Sequence, residues 1–127
     1  MPHLISQGHG IVLNTASVAG LFGGRAGVAY TASKHALIRL TKHTASFYGD
    51  KGIRCNAMAL GAISTSIGLG SDKPSETGMN VMQKTFPAMP QPANPKDIAN
   101  VALFLASDMS ASLNGSIVVA DKGWTVY

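Results

Sequence analysis

The chain has 127 residues, 46% of them hydrophobic and 13% charged, with a formal net charge of +4. That is the length of one globular domain with enough apolar content for a core, which excludes a disordered chain, and no apolar run approaches the ~18 residues of a membrane helix. The ten Lys and Arg residues are scattered, no two adjacent, which argues against a nucleic-acid-binding stripe and leaves a diffusely basic surface suited to a small anionic ligand.

Cys55 is the single cysteine, so no internal disulfide forms, as fits a reducing compartment. The opening MPHLISQGHG has no basic segment followed by an apolar one; no leader is expected, and the location expected is cytoplasmic. Gly10 to Ser17 (GIVLNTAS) holds a short apolar run bounded by Gly and polar residues and reads as a buried strand. A glycine-rich loop of about a dozen residues follows, long by ordinary standards, as functional loops often are.

Val28 to Tyr48 reads as a helix. Ala29, Ala32, Ala36, Leu37, Leu40, Thr44 and Phe47 recur at spacings of three and four, and His35, Arg39, Lys42, His43 and Ser46 fall mostly on the other side. Gly49 is the expected stop. Ile53 to Leu60 (IRCNAMAL) is a second strand. From Gly61 to Ala93 the chain turns Gly- and Pro-rich, with a short helix expected near Glu76 to Thr85; an irregular stretch of that length suggests a binding loop or lid. Asn94-Pro95-Lys96-Asp97 is a helix start, with Asn94 as cap and Pro95 at the first turn. Ile98, Val101, Ala102 and Leu105 form its apolar stripe, and Ser116 to Ala120 is a third strand. The order strand, helix, strand, lid, helix, strand makes two β-α-β units on a parallel sheet, with one sheet edge left open.

Tyr30 and Lys34, four apart, share a helix face. An ammonium beside a phenol favours the phenolate, and a phenol so placed can exchange a proton. The same spacing also arises between residues with no chemical role. Ser17 stands at the carboxyl end of a parallel strand, where ligands bind in open α/β sheets. Its hydroxyl can hold a substrate oxygen beside Tyr30, or simply start a turn.

Taken in order, GIVLNTASVAG, YTASKHALIRLTK, GIRCNAMALGAIST and NPKDIANVALFLASDMSASLNGSIVVADKGW resemble the short-chain dehydrogenases/reductases over nearly the whole chain. The resemblance implies an α/β fold, a partial Rossmann-like doubly wound parallel sheet of about three strands with two long helices and a lid at 62–92, all within one partial domain spanning 1–127. It implies NAD- or NADP-dependent hydride transfer between nicotinamide and a carbonyl or alcohol carbon. Ser17, Tyr30 and Lys34 would be catalytic. Ser17 and Tyr30 would touch the substrate. Tyr30, Lys34, Gly61, Ile63 and Thr65 would meet the cofactor, Lys34 through the ribose hydroxyls and Thr65 through a phosphate. No metal, nucleic acid or membrane partner is implied; the substrate is a small carbonyl or alcohol, and full-length members usually form homo-oligomers.

Several departures accompany the resemblance. No Gly-x-x-x-Gly-x-Gly phosphate turn is present, and GLFGGRAG is too long and lacks the Gly-x-Gly pair. The expectation is therefore that the chain is the C-terminal half of the family domain, with Met1 internal to full-length members and a helix asparagine of the family absent. On that expectation, a non-catalytic fragment is the alternative function. Leu60 stands where proline is usual, Pro90-Gln91 where Gly-Arg is usual, and Lys122 at the first glycine of an Asp-Gly-Gly.

Overall fold

The structure is a computed structural model that describes residues 1–67 and 75–126. Residues 68–74, inside the expected lid, lie outside the described residues.

A short helix α1 (Pro2–Gln7) leads into strand β1 (Gly10–Ser17). Helix α2 (Val28–Tyr48) returns the chain to strand β2 (Ile53–Leu60). Helix α3 (Glu76–Met82) and helix α4 (Pro95–Leu105) precede strand β3 (Ile117–Ala120). The three strands form one parallel sheet in the order β1-β2-β3. Register aligns Ser17 with Leu60 and Leu60 with Ala120, so all three carboxyl ends finish in line. This is the partial Rossmann-like arrangement expected from the sequence.

Side chains alternate across a strand, so Ala57 and Met58 face opposite ways. Ala57 packs with Ala16 and Ile38 of α2, joined by Leu37 and Ile117. Met58 and Leu60 pack with Leu105, joined by Ile98, Val101 and Ala102 of α4. One helix thus covers each face. Fully burying a side chain the size of Leu105 contributes about 1.5–3 kcal/mol. The outer edge of β1 has no strand beside it among the described residues, and Ile11 and Thr15 on it are exposed.

The burial of α2 differs from the expected stripe. Ile38, Thr41, Thr44 and Ala45 are buried, whereas Leu40 and Phe47 are exposed, as are Ala29, Ala32 and Ala36. Close approach selects the small and hydroxylated face: Asn14 Nδ2 donates to Thr41 Oγ1 at 2.9 Å, and that hydroxyl donates to Leu37 O at 2.8 Å. Gly49 caps α2 in a right-handed conformation and the chain continues through one 3-10 turn; the left-handed stop is Gly52. Asn94 caps α4 as expected, its Oδ1 accepting from Lys96 N at 2.9 Å. Among the described residues no helix is long and apolar enough to cross a membrane.

Candidate active site

The site begins where β1 ends. Ser17 is buried, and its Oγ accepts from Ala19 N at 3.1 Å, starting a buried 3-10 turn at Val18–Gly20. The turn-starting role is therefore present, and it leaves the hydroxyl proton free to donate elsewhere. That turn lies hard against α2. A Cβ built on Gly20 would come within 2.6 Å of the Lys34 carbonyl oxygen and 2.9 Å of Ile38 Cδ1. Only glycine lets the end of β1 sit this close to the helix that carries Tyr30 and Lys34.

Tyr30 lies in the first turn of α2 and is 40% exposed. Lys34 Nζ is 5.3 Å from the Tyr30 ring centroid and donates to Thr15 O at 2.8 Å. A strand carbonyl thus aims the ammonium along the phenol and leaves two N–H donors unspent.

The opposite wall follows β2. Gly61 N donates to Ala120 O at 3.1 Å, and a Cβ on Gly61 would come within 2.8 Å of Asp121 Cα. Ile63 makes an isolated parallel bridge with Ala93, with Ala93 N donating to Ala62 O at 2.9 Å and Ser64 N to Ala93 O at 3.0 Å. These bonds pin the turn after β2 without using side chains. Asp121, on the far side of Gly61, is saturated, its carboxylate accepting from Gly123 N, Thr125 N and Thr125 Oγ1.

Ser17, Tyr30, Lys34, Gly61, Ile63 and Thr65 all line one cleft of about 240 Å³. The structure thus brings together every site residue expected from the sequence. It adds Thr15, Ala16, Leu60 and Ile67 to the lining. Strand alternation carried the signal for Thr15, two residues before Ser17 on the same side of β1; nothing in the pattern singled out Ile67. Arg25, in the glycine-rich loop, was likewise missed and stacks over the Trp124 ring at 4.7 Å. Cys55 is fully buried, and burial pushes its thiol above the ordinary value, with a smaller opposing hydrogen bond from Thr44. It is a core residue, not a nucleophile. Among the described residues no group of three His, Cys, Asp or Glu could hold a metal ion.

A parallel α/β sheet with a cleft at the carboxyl ends of its strands defines a ligand-binding domain of the Rossmann type. The family model described as enoyl-(acyl carrier protein) reductase matches residues 1–125, and the chain belongs to the short-chain dehydrogenase/reductase family. It is 45% identical over 118 residues to 3beta-hydroxysteroid dehydrogenase 2 of Eggerthella lenta, a match covering 93% of this chain and 45% of that protein. It is 38% identical to the short-chain dehydrogenase/reductase cdmF of Talaromyces verruculosus, covering 98% of this chain and 52% of the relative. Among solved structures, 4-hydroxyisoleucine dehydrogenase complexed with NADH and succinate superposes with a TM-score of 0.81 at 32% identity, covering 99% of this chain and 51% of that one. A Beutenbergia cavernae protein described as an NAD(P)-dependent gluconate 5-dehydrogenase, with NADP bound at low occupancy, gives 0.78 at 31%, covering 99% and 50%.

The chain spans about half the length of the curated relatives it matches. The expectation that it is specifically the family's C-terminal half is overturned. The family match runs from residue 1 to residue 125, and the shares covered describe a fragment of about half length and nothing narrower.

Proposed function

We propose that this chain carries the proton-transfer site of an NAD(P)-dependent oxidoreductase acting on a carbonyl or alcohol carbon. The observation that supports this reading is the convergence of Ser17, Tyr30 and Lys34 with Gly61, Ile63 and Thr65 on one cleft.

The residues present fit one end of a dinucleotide. Lys34 offers two unspent N–H donors for ribose hydroxyls, Thr65 a hydroxyl, and Leu60 and Ile63 an apolar wall for a flat ring. The cleft, at about 240 Å³, is below the ~300–1,000 Å³ usual for small-molecule pockets and suits that end alone. When bound, the nicotinamide supplies the hydride acceptor or donor. In the oxidative direction Ser17 donates its free hydroxyl proton to the substrate oxygen and holds it beside Tyr30. Tyr30, as phenolate, takes the alcohol proton; in reduction it returns that proton to the carbonyl oxygen. Lys34 holds its ammonium 5.3 Å from the Tyr30 ring centroid, beside the group that exchanges the proton. Relatives solved with NADH and with NADP leave both cofactors in the proposal.

Residues 1–127 act as one partial domain in this proposal, with 62–92 covering the substrate. Thr85 in that segment donates its hydroxyl to Met82 O at 2.9 Å, and its carbonyl accepts from Trp124 Nε1 at 3.2 Å, tying the described part of the segment to the C-terminal turn. The size of the cleft favours a second reading, a family fragment that does not turn over alone. Titration of the purified chain with NADH and NADPH, followed by fluorescence, separates the two. Saturable binding at or below about 1 mM, weakened by Lys34→Met, supports the first reading, since Lys34 holds the two unspent N–H donors at this end. No binding at millimolar cofactor supports the second.

A further inference from the structure

The basic face of α2 has no part in the cleft. His35, Arg39 and Lys42 follow one another at spacings of four and three, so they form one stripe along the helix. All three are exposed. That stripe lines a second cavity, of about 530 Å³, floored by Leu21, Ile38 and Ile117. The floor is the margin of the core cluster between α2 and the sheet, with Ile38 buried and Leu21 and Ile117 half-buried against it. Ile117 opens β3, so the cavity lies toward β3 and away from the open edge of β1. It shares no lining residue with the cleft. Unlike the cleft, it falls within the ~300–1,000 Å³ usual for small-molecule sites.

Its charges are of one sign. No Asp or Glu lines the cavity, and the one ion pair among the described residues, Lys51 with Asp50, involves neither Arg39 nor Lys42. Two full positive charges thus stand over an apolar floor with no carboxylate of the fold to meet them. A ligand that matches both features has an apolar body and close to two negative charges. His35 narrows the class further. Its Nδ1 lies 3.0 Å from Thr31 O. A carbonyl only accepts, so Nδ1 carries the proton of that bond, and in the neutral imidazole Nε2 is left as an acceptor. A carboxylate brings one charge and no donor. A phosphate monoester carries about −1.5 to −2 near neutral pH, offers its oxygens to Arg39 and Lys42, and in its singly protonated form has a P–OH for Nε2.

We propose that this cavity binds a small soluble phosphate monoester, with the phosphate on Arg39, Lys42 and His35 Nε2 and the organic group on Leu21, Ile38 and Ile117. The site needs neither the oxidoreductase reading nor a bound nicotinamide.

The test is isothermal titration calorimetry of the full 127-residue chain with phenyl phosphate, phenol, benzoate and inorganic phosphate. Phenyl phosphate should bind saturably and at least about tenfold more tightly than each of the other three, as charge-assisted bonds and apolar burial acting together imply. Arg39→Gln and Lys42→Gln should each weaken it about tenfold. Both side chains are exposed, so both variants should melt at the temperature of the unchanged chain, and either decides alone if the other does not fold. Lys96→Gln removes the same charge from α4, outside both the cavity and the cleft, and should leave binding unchanged. No binding of phenyl phosphate, equal binding of phenol, benzoate or inorganic phosphate, full affinity in Arg39→Gln and Lys42→Gln, or an equal loss in Lys96→Gln would overturn the proposal. With vesicles of phosphatidic acid the chain should stay in the supernatant. Pelleting that Arg39→Gln abolishes would give these cations to a lipid headgroup and overturn the soluble ligand.

Discussion

Two polar clusters flank β2 and differ in how much hydrogen-bonding capacity they leave over. Toward its beginning, Asn56 Oδ1 accepts from Ser116 N and its Nδ2 donates to Leu113 O. Arg54 donates to Ser110 Oγ, Leu113 O and Ser107 O, and Asn114 Oδ1 accepts from Cys55 N. Those groups satisfy one another and hold the loop before β3 in place. At the carboxyl end, Ser17 keeps a free proton, Lys34 keeps two donors, and no hydrogen bond involves the Tyr30 hydroxyl among the described residues. Saturated polar groups build the fold, whereas groups held in place with capacity to spare are available for a ligand.

Breaking the saturated cluster should cost stability, and the largest stability effect is expected at Asn56. Asn56→Ala strands the Ser116 N–H and the Leu113 carbonyl, and should destabilise by about 2–4 kcal/mol, lowering the melting temperature by roughly 10 °C. Gly20→Ala joins the two regions. Its methyl meets a backbone carbonyl that cannot give way cheaply, so about 1–3 kcal/mol of destabilisation is expected together with weaker NADH binding. Chemical denaturation alongside the cofactor titration checks both halves; a loss of stability with cofactor affinity intact would separate the turn from the cleft.

Smaller effects sharpen the same contrast. Lys122 holds φ at 55°, the left-handed region that glycine tolerates best, at the position where glycine is usual in the family. Lys122→Gly should therefore stabilise the chain by about 0.5–1 kcal/mol, read as a rise in melting temperature. The smallest effect is expected at Cys55. Its folded thiol ionises at higher pH than its unfolded one, so its contribution is full below the ordinary thiol pKa of ~8.5 and is lost as pH rises through that value toward the raised one. Cys55→Ala should remove the fall in stability above the ordinary thiol pKa of ~8.5 in equilibrium denaturation.

Much of this was legible in the sequence. Gly10–Ser17, Val28–Tyr48 and Ile53–Leu60 have the bounds expected, because glycines and polar residues punctuate short apolar runs. The buried face of α2 was not legible. Ala29, Ala32, Ala36, Leu40 and Phe47 form as good an apolar stripe as the face that packs, and the choice was made by contacts distant in sequence, Thr41 with Asn14 and Ile38 with Ala16 and Ala57. The cleft residues could be read because they sit at strand ends and helix starts. Arg25 could not, since a loop has no periodicity and its partner Trp124 lies almost a full chain length away.

The central claim is that Tyr30 is held for chemistry and contributes little to holding the fold. The most direct measurement is steady-state turnover of a carbonyl or alcohol substrate by Tyr30→Phe, with its melting temperature taken in the same buffer. Removing only the hydroxyl of a general acid should lower turnover about 10²–10⁴-fold, and the melting temperature should stay within about 2 °C because no hydrogen bond of the fold involves that hydroxyl among the described residues. Unchanged turnover, or a melting temperature lowered in proportion to the lost activity, would contradict it.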